Sequence, residues 1–300
     1  MGIIPKDSDI LPPYDDRIFK AMLVAPEAKP TLLLVSSAII KRPVIDVTVL
    51  NNELPVSNTN EKAESFDVNC LIDDNTQVDI EMQANHMEEE AGSNHGNLRA
   101  RSIYNLCDLH SSQNSKSKEY DKLKRTYQVM FCGFTVFPDR TDYLNLFSMR
   151  HDIDNGLLYN SIQAMFIELT KLKNVLAKPI EDMTDIEKFS IFLWYAKNPD
   201  YREIVNRLLE SKEGLAVAGE VLMNISKDER ERAIFRSRRI ALADLESNFA
   251  TVENRGKAEG RAESMTTVAR TALKMKMPLN DIVKLTGLTL DEIEVLRESE

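Results

Sequence analysis

The stretch SFDVNCLIDDNTQVDIEMQA, residues 65–84, alternates apolar and polar residues on both sides of a polar turn. Alternation with period two is typical of β-strands, and Asp and Asn clustered between two such runs indicate a hairpin. The pattern therefore predicts two neighbouring strands. Their polar face carries Asp67 on the first strand and Glu81 and Gln83 on the second. Two carboxylates and an amide oxygen on one patch of sheet suit a hard divalent cation.

Composition places the chain among soluble globular proteins. It has 300 residues, of which 43% are apolar and 29% charged, enough for one large or two small domains. The longest apolar run, residues 32–40, is too short to cross a bilayer, and the N-terminus lacks the pattern of a secretory signal. Three cysteines without CxxC spacing favour a reducing compartment. We therefore expect a cytoplasmic protein that does not bind a membrane.

Charge is unevenly distributed along a chain whose net charge is −10. Residues 61–90 hold ten acids and one base, whereas residues 98–130 hold seven bases and three acids. Residues 226–240 are also rich in bases. An acidic centre flanked by basic segments suits an enzyme that binds a metal ion and phosphates around it. The alternative is that both segments are solvated faces of opposite sign.

The first 150 residues predict a mixed α/β core. Helical periodicity, β-branched runs and a buried apolar run predict three helices and three further strands around the hairpin. The helices are expected at residues 14–24, 31–40 and 98–110, and the strands at residues 44–50, 126–137 and 143–149.

The remaining half of the chain predicts helices only. One is expected over residues 158–176, another begins at a capping box of Thr184 and Glu187, and a long polar helix starts near Ser226. Residues 256–263, GKAEGRAE, are expected to form a linker or a frayed helical extension. Residues 264–300 resemble a helix-turn-helix, which either contacts DNA or serves as a packing or dimerisation element. Its last helix begins at a capping box of Thr289 and Glu292 and is acidic, which favours packing or dimerisation.

Four motifs in order carry a resemblance to a known family. They are LPPYDDRIFK, FDVNCLIDDNTQVDIEMQ, RARSIY and TYQVMFCGFTVF, and the resemblance covers residues 11–150. This part of the chain resembles the Rpn-type recombination-promoting nucleases of the PD-(D/E)XK superfamily. The resemblance implies a restriction-endonuclease-like mixed sheet flanked by helices at residues 11–150. An all-α half would follow, with a helical extension at residues 151–255, the linker at 256–263 and the tail at 264–300.

The resemblance also implies an active site on the hairpin. Asp67 matches the metal-binding Asp of the family, and Glu81 matches the second carboxylate. Gln83 stands where the wider superfamily has Lys, and its amide orients a water but cannot act as a base. Phosphodiester hydrolysis needs a cation such as Mg²⁺ to activate water and to neutralise charge on the phosphate.

Five further residues are candidate accessory groups. Asp16 and Lys20 lie one helical turn apart, so they either form an i,i+4 ion pair or approach the metal and the phosphate. Arg99, Arg101 and Lys124 are candidate contacts to DNA phosphates.

The expected function is that of a Mg²⁺-dependent endodeoxyribonuclease, associated by resemblance with DNA recombination or mobile elements. One alternative is a catalytically weak nuclease fold that binds DNA or a protein, and another is a helical interaction protein with the first half as scaffold. The expected partner is DNA. Double-strand cleavage with one site per chain would favour a homodimer.

Overall fold

The computed structural model describes residues 4–50, 68–73, 75–84, 95–113 and 120–298. Within these ranges the chain forms a six-stranded sheet and ten α-helices. The strands are β1 Val47–Val49, β2 Val68–Ile72, β3 Gln77–Gln83, β4 Thr126–Cys132, β5 Leu144–Phe147 and β6 Ile162–Glu168. The helices are α1 Asp16–Val24, α2 Lys29–Ile40, α3 His95–Ser112, α4 Lys173–Leu176, α5 Asp185–Tyr195, α6 Arg202–Glu210, α7 Glu213–Lys227, α8 Glu229–Lys274, α9 Leu279–Thr286 and α10 Leu290–Glu298.

The sheet is mixed, as the sequence predicts. Its strand order is β1-β2-β3-β4-β6-β5, with β3, β4 and β6 parallel to one another and the other neighbours antiparallel. The predicted hairpin is confirmed, since β2 pairs with β3 with Val68 opposite Ile80. Helix α3 lies in the connection from β3 to β4, which are parallel and so need a crossover.

One face of the sheet forms the main core. Val78, Ile80 and Met82 of β3 are fully or almost fully buried there, in a cluster that includes side chains of α1, α2, α5 and α7. The ring of Phe131 on β4 lies 5.6 Å from that of Phe19 and 5.7 Å from that of Phe189. Burying such rings contributes about 1.5–3 kcal/mol each, so this face supplies much of the stability that holds β3 in place.

The opposite face of the sheet is also covered by a helix, although the alternation in residues 65–84 predicts an exposed polar surface there. Helix α3 packs across β4 and β6 and buries Leu98 and Leu106 against Met130 and Phe166. The polar residues of β3 on this side, Gln77, Asp79 and Glu81, are therefore buried as well. Glu81, one of the two candidate metal ligands, thus lies at a covered polar seam.

The predicted helix over residues 158–176 is wrong in its first half. Residues 162–168 form β6, which pairs with β4 and β5, and only Lys173–Leu176 is α-helical. The run IQAMFIE is buried over most of its length because sheet and helices enclose it. Periodicity alone does not separate a short buried strand from a buried helix.

The C-terminal residues form a second compact unit. The chain divides into Met1–Arg236 and Ser237–Glu300, and α8 runs through the boundary. Residues 256–263, expected as a linker or frayed extension, are helical within α8. The end of α8 packs on α9 and α10 through Ala269, Ile282 and Ile293. The packing role expected for this tail is therefore satisfied within the chain.

Two capping boxes predicted from sequence are confirmed. The Thr184 hydroxyl accepts from Glu187 N, and the Glu187 carboxylate accepts from Thr184 N at 2.8 Å. Thr289 and Glu292 form the same pair at the start of α10. Among the described helices, no single one is long and apolar enough to cross a membrane. Helix α1 and the segment 26–40 reach that length and apolar content only together, and they are bent by 76° relative to each other.

Candidate active site

The candidate site lies where β3 ends. Glu81 and Gln83 are two residues apart on this strand, so both side chains leave it on the α3 side. Glu81 is only 5% exposed, and Gln83 is partly buried. The amide Nε2 of Gln83 donates a hydrogen bond to Glu81 Oε1. The two predicted site residues of β3 therefore act as one hydrogen-bonded group.

Helix α3 adds a positive charge to this pair. Arg101 Nη2 donates to Gln83 Oε1 at 2.8 Å and lies 3.6 Å from Glu81 Oε1. The Arg101 side chain is 37% exposed, whereas that of Glu81 is 7% exposed. A guanidinium from another element thus stands beside Gln83, the position at which the superfamily usually carries Lys.

The N-terminus of α1 is hydrogen-bonded to the same end of β3. Asp15 caps this helix, and its Oδ1 accepts from Arg17 N at 3.1 Å and from Ile18 N at 3.2 Å. Asp16 Oδ1 accepts from Ala84 N at 3.0 Å, directly after Gln83. The structure therefore brings the candidate accessory residue Asp16 to the strand that carries Glu81.

Lys20 lies one turn further along α1 and is 4% exposed. A buried ammonium group requires compensation by polar partners. Its neighbour Arg17 forms an ion pair with Glu231 of α8, at 3.0 Å between Nη2 and Oε1. Lys20 is thus enclosed in the α1 packing rather than displayed on the surface.

Arg99 contacts the loop that follows β4, and Lys124 lies at the end of the sheet remote from Gln83. Arg99 donates to the carbonyl of Val136, and its guanidinium carbon lies 4.4 Å from the centre of the Phe137 ring. Lys124 precedes β4 at the end of the strand where Thr126 pairs with Gln77. Six residues of strand separate Gln77 from Gln83, about 20 Å. Lys124 and Gln83 therefore occupy opposite ends of the sheet.

The buried carboxylate of Glu168 fixes the loop that receives Arg99. Its Oε1 accepts from Val136 N at 2.7 Å and from Phe137 N at 3.1 Å. Its Oε2 accepts from Asn145 Nδ2 and from Lys171 Nζ, both at 2.9 Å. Sequence reasoning missed this residue, although a single Glu inside the apolar run 164–169 followed by Lys171 is a signal for a buried ion pair.

Buried polar groups continue along the sheet from Glu81. Asp79 pairs with Gln128 of β4 in the strand register, and both are buried. Neither amide atom of the Gln128 side chain has a hydrogen-bond partner among the described residues. Burial raises the pKa of the Cys132 thiol well above its usual range, and the charges of Glu168 and Glu81 raise it further while Arg101 opposes them. The seam is therefore shielded from water, and charges interact more strongly within it than at the surface.

Asp67, the predicted metal-binding Asp, lies outside the described residues. Within the described ranges, no group of three or more His, Cys, Asp or Glu side chains is suited to hold a metal ion. The donors at the end of β3 are nevertheless the oxygen atoms that a hard cation binds, from Glu81 and from the amide of Gln83. Arg101 contacts both of these oxygens, so a cation bound there would share them with the guanidinium. Glu81 and Gln83 thus offer oxygen donors of the type that a divalent cation binds.

A mixed sheet flanked by helices, with an ExQ motif on a central strand beside an acidic helix N-terminus, defines a nuclease fold of the PD-(D/E)XK class. The chain belongs to the PD-(D/E)XK nuclease family transposases, whose family model matches residues 13–251. Nucleases of this kind generally use divalent metal ions, and membership supports a nuclease-like function. No curated protein and no solved structure matches the chain.

Proposed function

We propose that the protein is a Mg²⁺-dependent endonuclease that hydrolyses phosphodiester bonds of DNA. The observation that carries the proposal is the convergence of Glu81, Gln83 and Arg101 with the N-terminus of α1 at one end of β3. Family membership gives the reaction class, and the geometry supports this place for it. DNA recombination or mobile elements as the setting, and the cytoplasm as the compartment, are part of the same proposal.

Asp67 and Glu81 are the proposed ligands of the cation. Val68, the residue after Asp67, is opposite Ile80, the residue before Glu81. Asp67 is proposed as the second ligand because it matches the metal-binding Asp of the family that the sequence resembles. Mg²⁺ bound by these oxygens would activate a water molecule and neutralise charge on the phosphate.

The other residues have distinct proposed roles. Gln83 holds Glu81 through its amide and orients water, since it has no ionisable group. Arg101 supplies the positive charge that Lys supplies elsewhere in the superfamily, directed at the phosphate. Asp16 positions the end of β3 by accepting a hydrogen bond from Ala84 N. Its carboxylate is proposed as a further oxygen donor beside Glu81 and Gln83. Lys20 is proposed to act as an accessory group from within the α1 packing.

A plasmid cleavage assay tests the proposal. Supercoiled plasmid is incubated with the full chain in Mg²⁺, with EDTA added in a parallel reaction, and nicked and linear products are measured. We expect cleavage that EDTA abolishes and that Asp67→Ala lowers by at least about a hundredfold. Asp73→Ala is the matched control, since Asp73 lies in the turn after β2 and pairs with Arg42 at 3.0 Å. Cleavage that is equal in wild type and Asp67→Ala contradicts the assigned site.

A catalytically weak DNA-binding module is the second candidate. It is favoured by the contact of Arg101 with both Glu81 and Gln83, because a cation would have to share these oxygens with a guanidinium. This candidate predicts plasmid binding that weakens with salt, without nicks in Mg²⁺ or Mn²⁺. Mg²⁺-dependent nicking by the wild type would exclude it.

A further inference from the structure

A long part of α8 lacks packing against the residues that the structure describes. From residue 243 to residue 264, every side chain whose exposure is described is solvent-exposed. This stretch covers about six helical turns. Within the described chain, the buried cluster of this unit involves α8 only from Ala269 onward.

A helix of this kind is not expected to be stable alone. Helices in proteins gain most of their stability from packing an apolar face rather than from helix propensity. Gly256 and Gly260 lower the helix propensity further. A Cβ at either glycine would meet no atom within 4 Å, so no contact in the described chain requires them.

The exposed stretch nevertheless has an apolar stripe. Leu242, Leu245, Phe249 and Val252 follow one another at spacings of three, four and three residues. Leu245 is 44% exposed, Phe249 63% and Val252 59%, while Leu242 is partly buried. This is the spacing of the a and d positions of a coiled coil. The outward-facing f positions are the polar residues Ser247 and Asn254.

Charges beside the stripe favour a partner helix of the same sequence in antiparallel orientation. If Leu245 packs against Phe249 of a second copy, and Leu242 against Val252, the e positions place Arg239 beside Glu253 of that copy and Glu246 beside the partner's Glu246. Two-fold symmetry repeats the Arg239–Glu253 pair at the other end of the interface, so two opposite-charge pairs outnumber one like-charge pair. In a parallel pair the e and g positions bring Glu253 beside Asn248 and leave Arg239 without an acid across the interface.

We propose that residues 242–252 of α8 form a homodimer interface, with a second copy of this chain packed antiparallel on the apolar stripe. Glu253 already pairs with Lys257 one turn away on the exposed surface, and an Arg from the partner would add to this pair. The interface lies entirely within the second unit and does not depend on the nuclease proposal.

Sedimentation equilibrium of the full chain tests the proposal. We expect the wild type to dimerise, and Leu245→Asp with Phe249→Asp to raise the dissociation constant at least a hundredfold. The matched control is Ser247→Asp with Asn254→Asp, which adds the same charge on the opposite face of the helix and should leave the constant within threefold. A wild type that stays monomeric at 100 μM, or equal weakening by both double variants, would overturn the proposal.

A charge reversal tests the orientation and does not depend on whether the aspartate variants keep the helix folded. Arg239→Glu should weaken the dimer about three- to tenfold by opposing Glu253 of the partner. Adding Glu253→Arg should restore the affinity to within about twofold of wild type. Additive weakening in the double variant would contradict the antiparallel arrangement.

Discussion

Replacing Glu168 by Gln tests how the fold holds the loop that supports the site. The side chain is 0% exposed, and its two oxygens accept four hydrogen bonds. Gln keeps the volume of Glu and can still accept from Val136 N and Phe137 N through its one carbonyl oxygen. Its NH₂ group would then face Asn145 Nδ2 and Lys171 Nζ, which are both donors.

The expected loss follows from these contacts. Two hydrogen bonds to a charged acceptor disappear, each worth about 1.5–3 kcal/mol. Removing one partner of a buried ion pair lowers the free energy of unfolding by about 3–5 kcal/mol. The pair of Glu168 with Lys171 is of this kind, because the Lys171 side chain is only 14% exposed. Lys171 keeps its bonds to the carbonyls of Phe137 and Arg140, both at 2.7 Å. We therefore expect a loss of about 3–5 kcal/mol in the free energy of unfolding.

Thermal unfolding followed by near-ultraviolet circular dichroism measures this loss. For a unit the size of Met1–Arg236, we expect the midpoint to fall by about 6–20 °C. Asp46→Asn is the control, because the ion pair of Asp46 with Lys29 is more than half exposed on both sides and should contribute less than about 1 kcal/mol. A loss below about 1 kcal/mol for Glu168→Gln, or one equal to the control, would refute the reasoning.

Three other predictions concern the site and its surroundings. Arg101→Ala should lower the single-turnover rate of DNA cleavage about a hundredfold, whereas Lys124→Ala, at the other end of the sheet, should change it less than about threefold because surface charges are screened over that distance. Of the three thiols, only Cys107 is exposed, so a thiol reagent should label one cysteine in the native protein and three after denaturation. Burial, and then the charge of Asp79, raises the pKa of the Cys70 thiol to about 12. Because the folded state holds the Cys70 thiol protonated, the thiol's contribution to the free energy of unfolding is fully present below about pH 8.5. As the pH rises toward 12, this contribution is lost by about 1.4 kcal/mol per pH unit. Urea unfolding between pH 8 and pH 10 should show this slope reduced in Cys70→Ala; an unchanged slope contradicts the assignment.

The parts of the fold that sequence predicts well are those set by local chemistry. The β2–β3 hairpin follows from alternation around a polar turn, and the helix starts at Thr184 and Thr289 follow from their capping boxes. Each depends on residues a few positions apart. Strand β6 was predicted as helix because its buried faces remove the alternation that identifies a strand.

Only part of the candidate site could be predicted from the sequence, for a related reason. Glu81 and Gln83 could be selected from their spacing, but the burial of Glu81 depends on α3, which packs across strands from a later part of the chain. The contact of Arg101 with Gln83 joins residues 18 positions apart, and that of Asp16 with Ala84 joins residues 68 apart. Such contacts are set by tertiary packing, which no local pattern encodes. The placement of Asp67 remains a prediction.

The central claim is that one divalent cation is held at the end of β3 by Asp67 and Glu81. Iron-directed cleavage of the polypeptide tests it most directly: Fe²⁺ replaces Mg²⁺, ascorbate and peroxide generate radicals at the bound ion, and mass spectrometry locates the broken peptide bonds. We predict cuts next to Asp67 and within residues 81–84, suppressed by excess Mg²⁺ and absent in Glu81→Ala. Cuts that persist in Glu81→Ala, or that cluster elsewhere, for instance at residues 88–90, would contradict the claim.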